Sequence, residues 1–379
     1  MSATVFRNAK VVLPDEVIEG SVRMEDGVIT AVDAGVSRVG EDLDGDYLVP
    51  GLVELHTDQL ESHYRPRLGV YWNPLAALQA HDLQIAGSGI TTVFDAVRIG
   101  SDPETPGGMA QHVQAMVDAI STGMADGRLK AEHLIHLRCE LPTPDVVDDF
   151  ERFVRLPLVK LASVMDHTPG QRQYQTIEKY IHYYKERMRF TDTEMEAFIA
   201  RRRADQEQFA AHSRREILKR GKAAGIAFAS HDDATEAQVH EAVSDGISIA
   251  EFPTTMDAAE ASHAAGLAVM MGAPNIVRGG SHSGNIAATD LAHEGCLDVI
   301  SSDYVPGALL LAAFMLPELA EGITLPDAIR MVTSRPAKAA NLDDRGEIAP
   351  GKRGDVVRVR RHGDMPVVKG VWRQGQRVA

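Results

Sequence analysis

Eight short apolar runs separated by helix-like stretches constrain this chain more than anything else in it. They are VPGLVELHTD (49–58), GITTVFDA (89–96), EHLIHLRCEL (132–141), LVKLASVMDH (158–167), GIAFASHDD (225–233), GISIAEFPT (246–254), LAVMMGAP (267–274) and LDVISSDY (297–304). Runs of this length read as buried strands, and helices between them read as crossovers of a parallel sheet. Eight such units predict an α/β chain with a TIM-like (β/α)8 barrel over 50–344. The two ends read differently. Residues 1–49 alternate apolar and polar about the tight-turn pair Asp26-Gly27, and 345–379 do so about His362-Gly363-Asp364 and Gly375. Neither end can bury a face alone, so both termini are expected to build one small β-sandwich domain.

One crossover is too long for a simple barrel. The stretch 171–223 is highly charged, with Tyr174, Ile177, Ile181, Tyr184 and Met188 at helical spacing. Thr191-Asp192-Thr193-Glu194 then reads as a capping box opening a second helix. A helical insertion is expected there, either a solvated hairpin packed on the barrel or a dimer contact or lid. A homo-oligomer, such as a dimer, is the expected state.

Composition narrows the partners. The chain of 379 residues has a formal net charge of -15, which argues against general nucleic-acid binding. It does not exclude an anionic small substrate, because a few arginines reverse the sign locally. The first twenty residues carry charges and no apolar core of a signal peptide. The longest apolar run, Gly307 to Leu316, is too short to span a bilayer. Cys139 and Cys296, far apart in sequence, make neither a disulfide framework nor a thiolate metal site. A cytoplasmic protein without membrane partners is the expectation.

Chemistry gathers at one end of the strands. The first strand closes in His56-Thr57-Asp58, and residues i and i+2 of a strand project to the same side. Glu140, His167, His231 and Asp303 each close a later strand. Singly, each has a structural alternative: an acid opening a loop, or a satisfied histidine. Together they occupy the end where a parallel barrel carries its active site. Nitrogen and carboxylate donors without thiolates suit one or two divalent ions, Zn, Mn, Fe or Ni, with Zn favoured. A bound ion lowers the pKa of its water, a carboxylate such as Glu140 can bridge two ions, and Asp303 can hold the water and shuttle its proton.

A second cluster follows the seventh strand. MGAPNIVRGGSHSGNIAA carries Asn275, Arg278, Ser281, His282 and Ser283 among glycines. Exposed N–H groups, hydroxyls and a guanidinium make a phosphate cradle, although the Gly-Lys-Ser/Thr ending of a P-loop is missing. The alternative is a polar loop. Arg65, Arg67, Arg98 and Arg138 add positive charge near the same end, and several at one pocket indicate a polyanionic substrate.

PGLVELHTD, the Glu140 and His231 strands and Asp303, between split β-segments ending in GEIAPGKRGDVVRV, resemble the amidohydrolase superfamily over nearly the whole chain. HTDQLESHYRPR, HLRCELP, SHDDAT, EFPTTMDAA, GAPNIVRGGSHSGN and SSDYVP resemble, in that order, its PhnM branch of the carbon–phosphorus lyase pathway. The resemblance implies a diphosphatase that hydrolyses α-D-ribose 1-methylphosphonate 5-triphosphate to the 5-phosphate and pyrophosphate, in organophosphonate catabolism. Residue spacing alone implies only metal-assisted hydrolysis of an anionic substrate. The sequence departs from the superfamily pattern in three places. Asp58 replaces the second histidine of His-x-His, Glu251 stands near the place of a sixth-strand histidine, and Glu140 is favoured as the bridge over Lys160, which sits where many relatives carry a bridging lysine. His167 is then a ligand or a substrate contact. The rival enzyme is an amidohydrolase or deaminase acting on a C–N bond, and the non-enzymatic rival is a barrel without its metal.

Overall fold

The computed structural model describes residues 3–101, 112–172, 177–178, 180–181, 185, 190–281 and 284–379. Eight parallel strands follow one another in chain order in one sheet: β1 (Leu52–Thr57), β2 (Ile90–Ile99), β3 (Glu132–Glu140), β4 (Val159–Met165), β5 (Ala227–His231), β6 (Ile249–Glu251), β7 (Ala268–Gly272) and β8 (Val299–Ser301). This is the eight-stranded α/β barrel that the apolar runs predict. The sixth strand is shorter than expected, with Ile247 and Ser248 leading in and Phe252 already leaving the extended conformation at φ 54°. By its internal packing the chain forms two compact units: Met1–Asp95, Ala119–Leu134 and Met271–Ala379, and then Ala96–Asp118 and Ile135–Met270.

In the first unit both termini together build the expected small β-domain, as one eight-stranded mixed sheet. The reason is a direct pairing: Val356–His362 lies antiparallel to Tyr47–Pro50, which lies parallel to Thr4–Val12, so the ends share one ladder. Asp26 and Gly27 form the expected tight turn, both with positive φ (49° and 83°). Phe6, Val22, Met24, Ile29, Leu48 and Trp372 bury the inner face, with Phe6 edge-on to Trp372 at 4.6 Å. Such aromatic contacts add to area burial.

The same unit holds the seam between β1 and β8. Thr57 bridges Asp303 in parallel register, and the Asp303 N–H donates to the His56 carbonyl at 3.1 Å. Glu54, fully buried, accepts the His56 N–H at 2.6 Å, the Ser301 hydroxyl at 2.7 Å and the Ser302 N–H. Burial pushes its carboxyl up to about 7 against the pull of these donors. Glu54→Ala strands the donors, and a loss of about 2–3 kcal/mol in urea unfolding is expected. An unchanged midpoint would show that the seam does not depend on this side chain.

In the second unit the ladders of β3 to β6 set which tip residues are neighbours. The register pairs His231 with Glu251 and Glu140 with Met165. Paired residues of a parallel ladder face the same side, so His231 and Glu251 are brought side by side. Of the insertion, Tyr174, Tyr184 and Met188 lie outside the described residues, while Ile181 packs against the buried Tyr180, Met195 and Phe198. The expected capping box is present: the Thr191 side chain accepts from Glu194 N, and Glu194 accepts from Thr191 N at 2.8 Å. Helix α1 (Asp192–Asp205) then runs through a π-helical turn, Gln206–Ala210, directly into α2 (Ala211–Ala223). Arg202 of α1 is buried, which a purely solvated hairpin would not require.

Candidate metal centre

In the first unit, β1 delivers His56 and Asp58 and β8 delivers Asp303. His56 is buried and Asp58 half-buried. Asp303 stands in left-handed backbone at φ 53°, with its N–H also 3.2 Å from Ser301 Oγ. Asp232 and Phe252, which follow β5 and β6, share this conformation at φ 56° and 54°. Left-handed backbone is uncommon for non-glycine residues, and aspartate is among those that tolerate it.

In the second unit, Glu140 closes β3 fully buried, with every acceptor position in use. Its Oε1 accepts the His167 N–H at 3.1 Å and Arg202 Nη2 at 3.3 Å. Its Oε2 accepts His167 Nδ1 at 2.6 Å and Arg98 Nη2 at 3.2 Å. Burial alone would raise the carboxyl, but His167, Arg98 and Arg202 outweigh it and hold it well below the usual carboxylate range. His231 closes β5, with Nδ1 at 2.6 Å from Glu251 Oε2. Burial disfavours its charge, but Asp232 and Glu251 raise its pKa overall. Glu251 also lies 4.0 Å from His136 Nδ1. Asp232 Oδ2 stands 3.4 Å from His231 Nε2 and 3.8 Å from His167 Nε2. Two imidazoles and a carboxylate at this spacing are a donor set that fits a divalent cation.

A second group of ligand-type atoms, His81, Asp95 and His133, is buried in the first unit. Its atoms are 2.7 to 2.8 Å apart, which is hydrogen-bond spacing. Asp95 takes a hydrogen bond from each histidine, and Asp82 lies 3.2 Å from His133 Nε2.

The expected phosphate contacts divide. Arg278 ends a short helix, Ala273–Arg278. Asn275 instead holds the loop in place, accepting from Ala288 N at 3.0 Å and donating to Ile286 O at 3.3 Å. Ser281 follows in the same loop, while His282 and Ser283 lie outside the described residues. Arg65 stacks over the Tyr71 ring at 5.9 Å, and Arg67 is exposed in a turn that pairs with Val70. Arg138 sits on β3, close enough to His231 to oppose its charge. Lys160 is exposed at the amino end of β4, away from the strand tips, which removes the physical basis for a bridging lysine.

Arg202 was not expected beside Glu140, and Asp232, although one of the two aspartates directly after His231, was not among the expected ligands. Nothing in the charged helix sets Arg202 apart from Arg201 or Arg203. His136 was legible, since His136, Arg138 and Glu140 alternate along one strand face.

The amidohydrolase family profile matches residues 47–378. The chain belongs to the amidohydrolase family. It is 46% identical over 377 residues to the α-D-ribose 1-methylphosphonate 5-triphosphate diphosphatase of Escherichia coli K12, covering 99% of this chain and 100% of that enzyme. Solved amidohydrolase-fold structures similar to it include 5-methylcytosine deaminase from Klebsiella pneumoniae, with a TM-score of 0.65 at 14% identity over 99% of this chain and 98% of that one. Molinate hydrolase matches with a TM-score of 0.65 at 14% identity, over 99% of this chain and 94% of the other. At such identities the likeness speaks for the fold alone. No helix among the described residues is long and apolar enough to cross a membrane.

Proposed function

We propose that this amidohydrolase hydrolyses α-D-ribose 1-methylphosphonate 5-triphosphate to the 5-phosphate and pyrophosphate, in organophosphonate catabolism. The observation that carries the reading is the full-length 46% identity to an enzyme of that name. His56, Asp58, Glu140, His167, His231 and Asp303 serve one or two divalent cations, zinc favoured, either as ligands or by holding a ligating histidine. A cation held there would lower the pKa of a nearby water towards neutrality. Asp303 would accept that water's proton during attack on the α-phosphorus. The bond from that phosphorus to the bridging oxygen breaks, and pyrophosphate leaves with the oxygen. Arg278 and the N–H groups of the glycine-rich loop stabilise the departing charge. Arg65, Arg67 and Arg138 offset the remaining charge of the substrate. The protein acts as a homo-oligomer.

The test is pyrophosphate release by metal-replete protein from this triphosphate and from a common nucleoside triphosphate. Release from the phosphonate substrate is expected, abolished by a chelator and restored by zinc, with the nucleotide turned over more slowly. A metal-replete protein that releases no pyrophosphate from either would overturn the reading in favour of C–N bond hydrolysis.

A further inference from the structure

The side chain one residue beyond His231 carries an assignment that neither the family pattern nor strand alternation supplies. We propose that Asp232 is a metal ligand. It completes, with Nε2 of His167 and Nε2 of His231, one cation site in which Glu140 and Glu251 are the outer carboxylates. The inference rests on the metal dependence of the function proposed above, and it deepens that reading by naming one ligand set.

Three observations carry it. An ionised carboxylate only accepts hydrogen bonds, so Nδ1 of His167, at 2.6 Å from Glu140, and Nδ1 of His231, at 2.6 Å from Glu251, both hold their hydrogens. This fixes one tautomer in each ring and turns the Nε2 lone pair to the other side. A carboxylate behind a histidine is the arrangement that orients metal-binding imidazoles. Second, Asp232 Oδ2 lies 3.4 Å from one Nε2 and 3.8 Å from the other. These are longer than good N–H···O hydrogen bonds. The shorter matches the edge of about 3.3–3.4 Å of a tetrahedron with metal–ligand bonds of about 2.0–2.1 Å, and the longer lies somewhat beyond it. Third, Glu140 has no acceptor position to give. Its four are taken by His167 N, His167 Nδ1, Arg98 and Arg202. Direct ligation by Glu140 would have to break these bonds, whereas ligation by His167 keeps all of them. The insertion thereby becomes part of the metal centre, because Arg202 of α1 holds Glu140 and Glu140 holds His167.

The test reads metal, so failure of the diphosphatase reading leaves it intact. Zinc content after gel filtration, zinc affinity by competition with a chromophoric chelator, and the visible spectrum of the cobalt-substituted protein are compared for three variants. Asp232→Asn preserves the shape and, as asparagine tolerates left-handed backbone, the fold; it is expected to weaken zinc binding about 100-fold or to lose one equivalent. Glu140→Gln is expected to keep the wild-type stoichiometry with affinity lowered about 10–100-fold. Asp232→Cys is the positive control: a thiolate at this position is expected to add a near-ultraviolet charge-transfer band to the cobalt spectrum. Thermal melting identifies any variant that has not folded. Folded Asp232→Asn with wild-type zinc content, affinity and cobalt spectrum overturns the proposal, as does a folded cobalt-loaded Asp232→Cys without the band. A wild-type protein that binds metal but releases no pyrophosphate would refute only the function proposed above.

Discussion

Replacing Asp303 by asparagine is expected to lower kcat/KM by about 10³-fold while the fold and the bound metal stay in place, the loss typical of a removed general base. The side chain keeps its volume but loses its capacity to take a proton, because an amide oxygen is not a base near neutral pH. The backbone demand is met as well. Asp303 stands at φ 53°, in the left-handed region that asparagine and aspartate tolerate better than other non-glycine residues. The seam between β1 and β8 uses its N–H, which donates to His56 O at 3.1 Å and approaches Ser301 Oγ at 3.2 Å, so the substitution leaves those bonds untouched. Steady-state pyrophosphate release, zinc content and a thermal melt on the same preparation decide the matter. Near-normal turnover by a metal-replete variant would remove Asp303 as the proton shuttle. A variant that instead loses its zinc would show that this carboxylate is needed first as a ligand.

How much of this was legible depends on which physical rule each residue obeys. β1 and β2 are covered on both faces, so their residues form continuous apolar runs that announce strands directly. The strand tips were legible for a related reason: a histidine or acid that ends such a run in a parallel barrel can sit only at the carboxyl rim. Asp232 broke the alternation rule. Next to His231 it should point to the opposite side of the sheet, and only the turn to φ 56° brings its Oδ2 within 3.4 Å of His231 Nε2. No propensity scale marks that turn. Arg202 escaped because its partner, Glu140, is 62 residues away and only the tertiary fold joins them. The strand order of the terminal sheet escaped for the same reason, since the pairing of Val356–His362 with Tyr47–Pro50 is a long-range choice.

His133→Leu is expected to destabilise the protein by about 3–5 kcal/mol near pH 6, a large part of a typical folding free energy, because it leaves buried carboxylates without their counter-charge. His133 on β3 lies fully buried between two acids. Its Nδ1 is 2.7 Å from Asp95 Oδ2 and its Nε2 is 3.2 Å from Asp82 Oδ1. Asp82 is anchored further by the N–H groups of Lys130 and Ala131. Asp95 also bonds His81 Nε2 at 2.8 Å, while His81 Nδ1 has no hydrogen-bond partner among the described residues. His81 is therefore the neutral member, and burial lowers its pKa. Burial would neutralise His133 too, but Asp95 and Asp82 prevail and push it up to about 9. Burial would raise Asp95, but His133 and His81 bring it down to about 2. The signs follow from linkage. A histidine whose pKa rises on folding contributes fully below its unfolded value of about 6.5, and that contribution is lost as pH climbs through about 9. An aspartate whose pKa falls contributes above about 3.9 and loses it as pH drops through about 2. The stability gap between wild type and variant is thus expected to be widest between about pH 4 and 6.5 and to narrow on the alkaline side. Urea unfolding of both proteins across pH 5 to 10 measures it. A gap below about 1 kcal/mol, or one that does not change with pH, would mean that His133 is an ordinary packed side chain rather than the charged centre of a clamp.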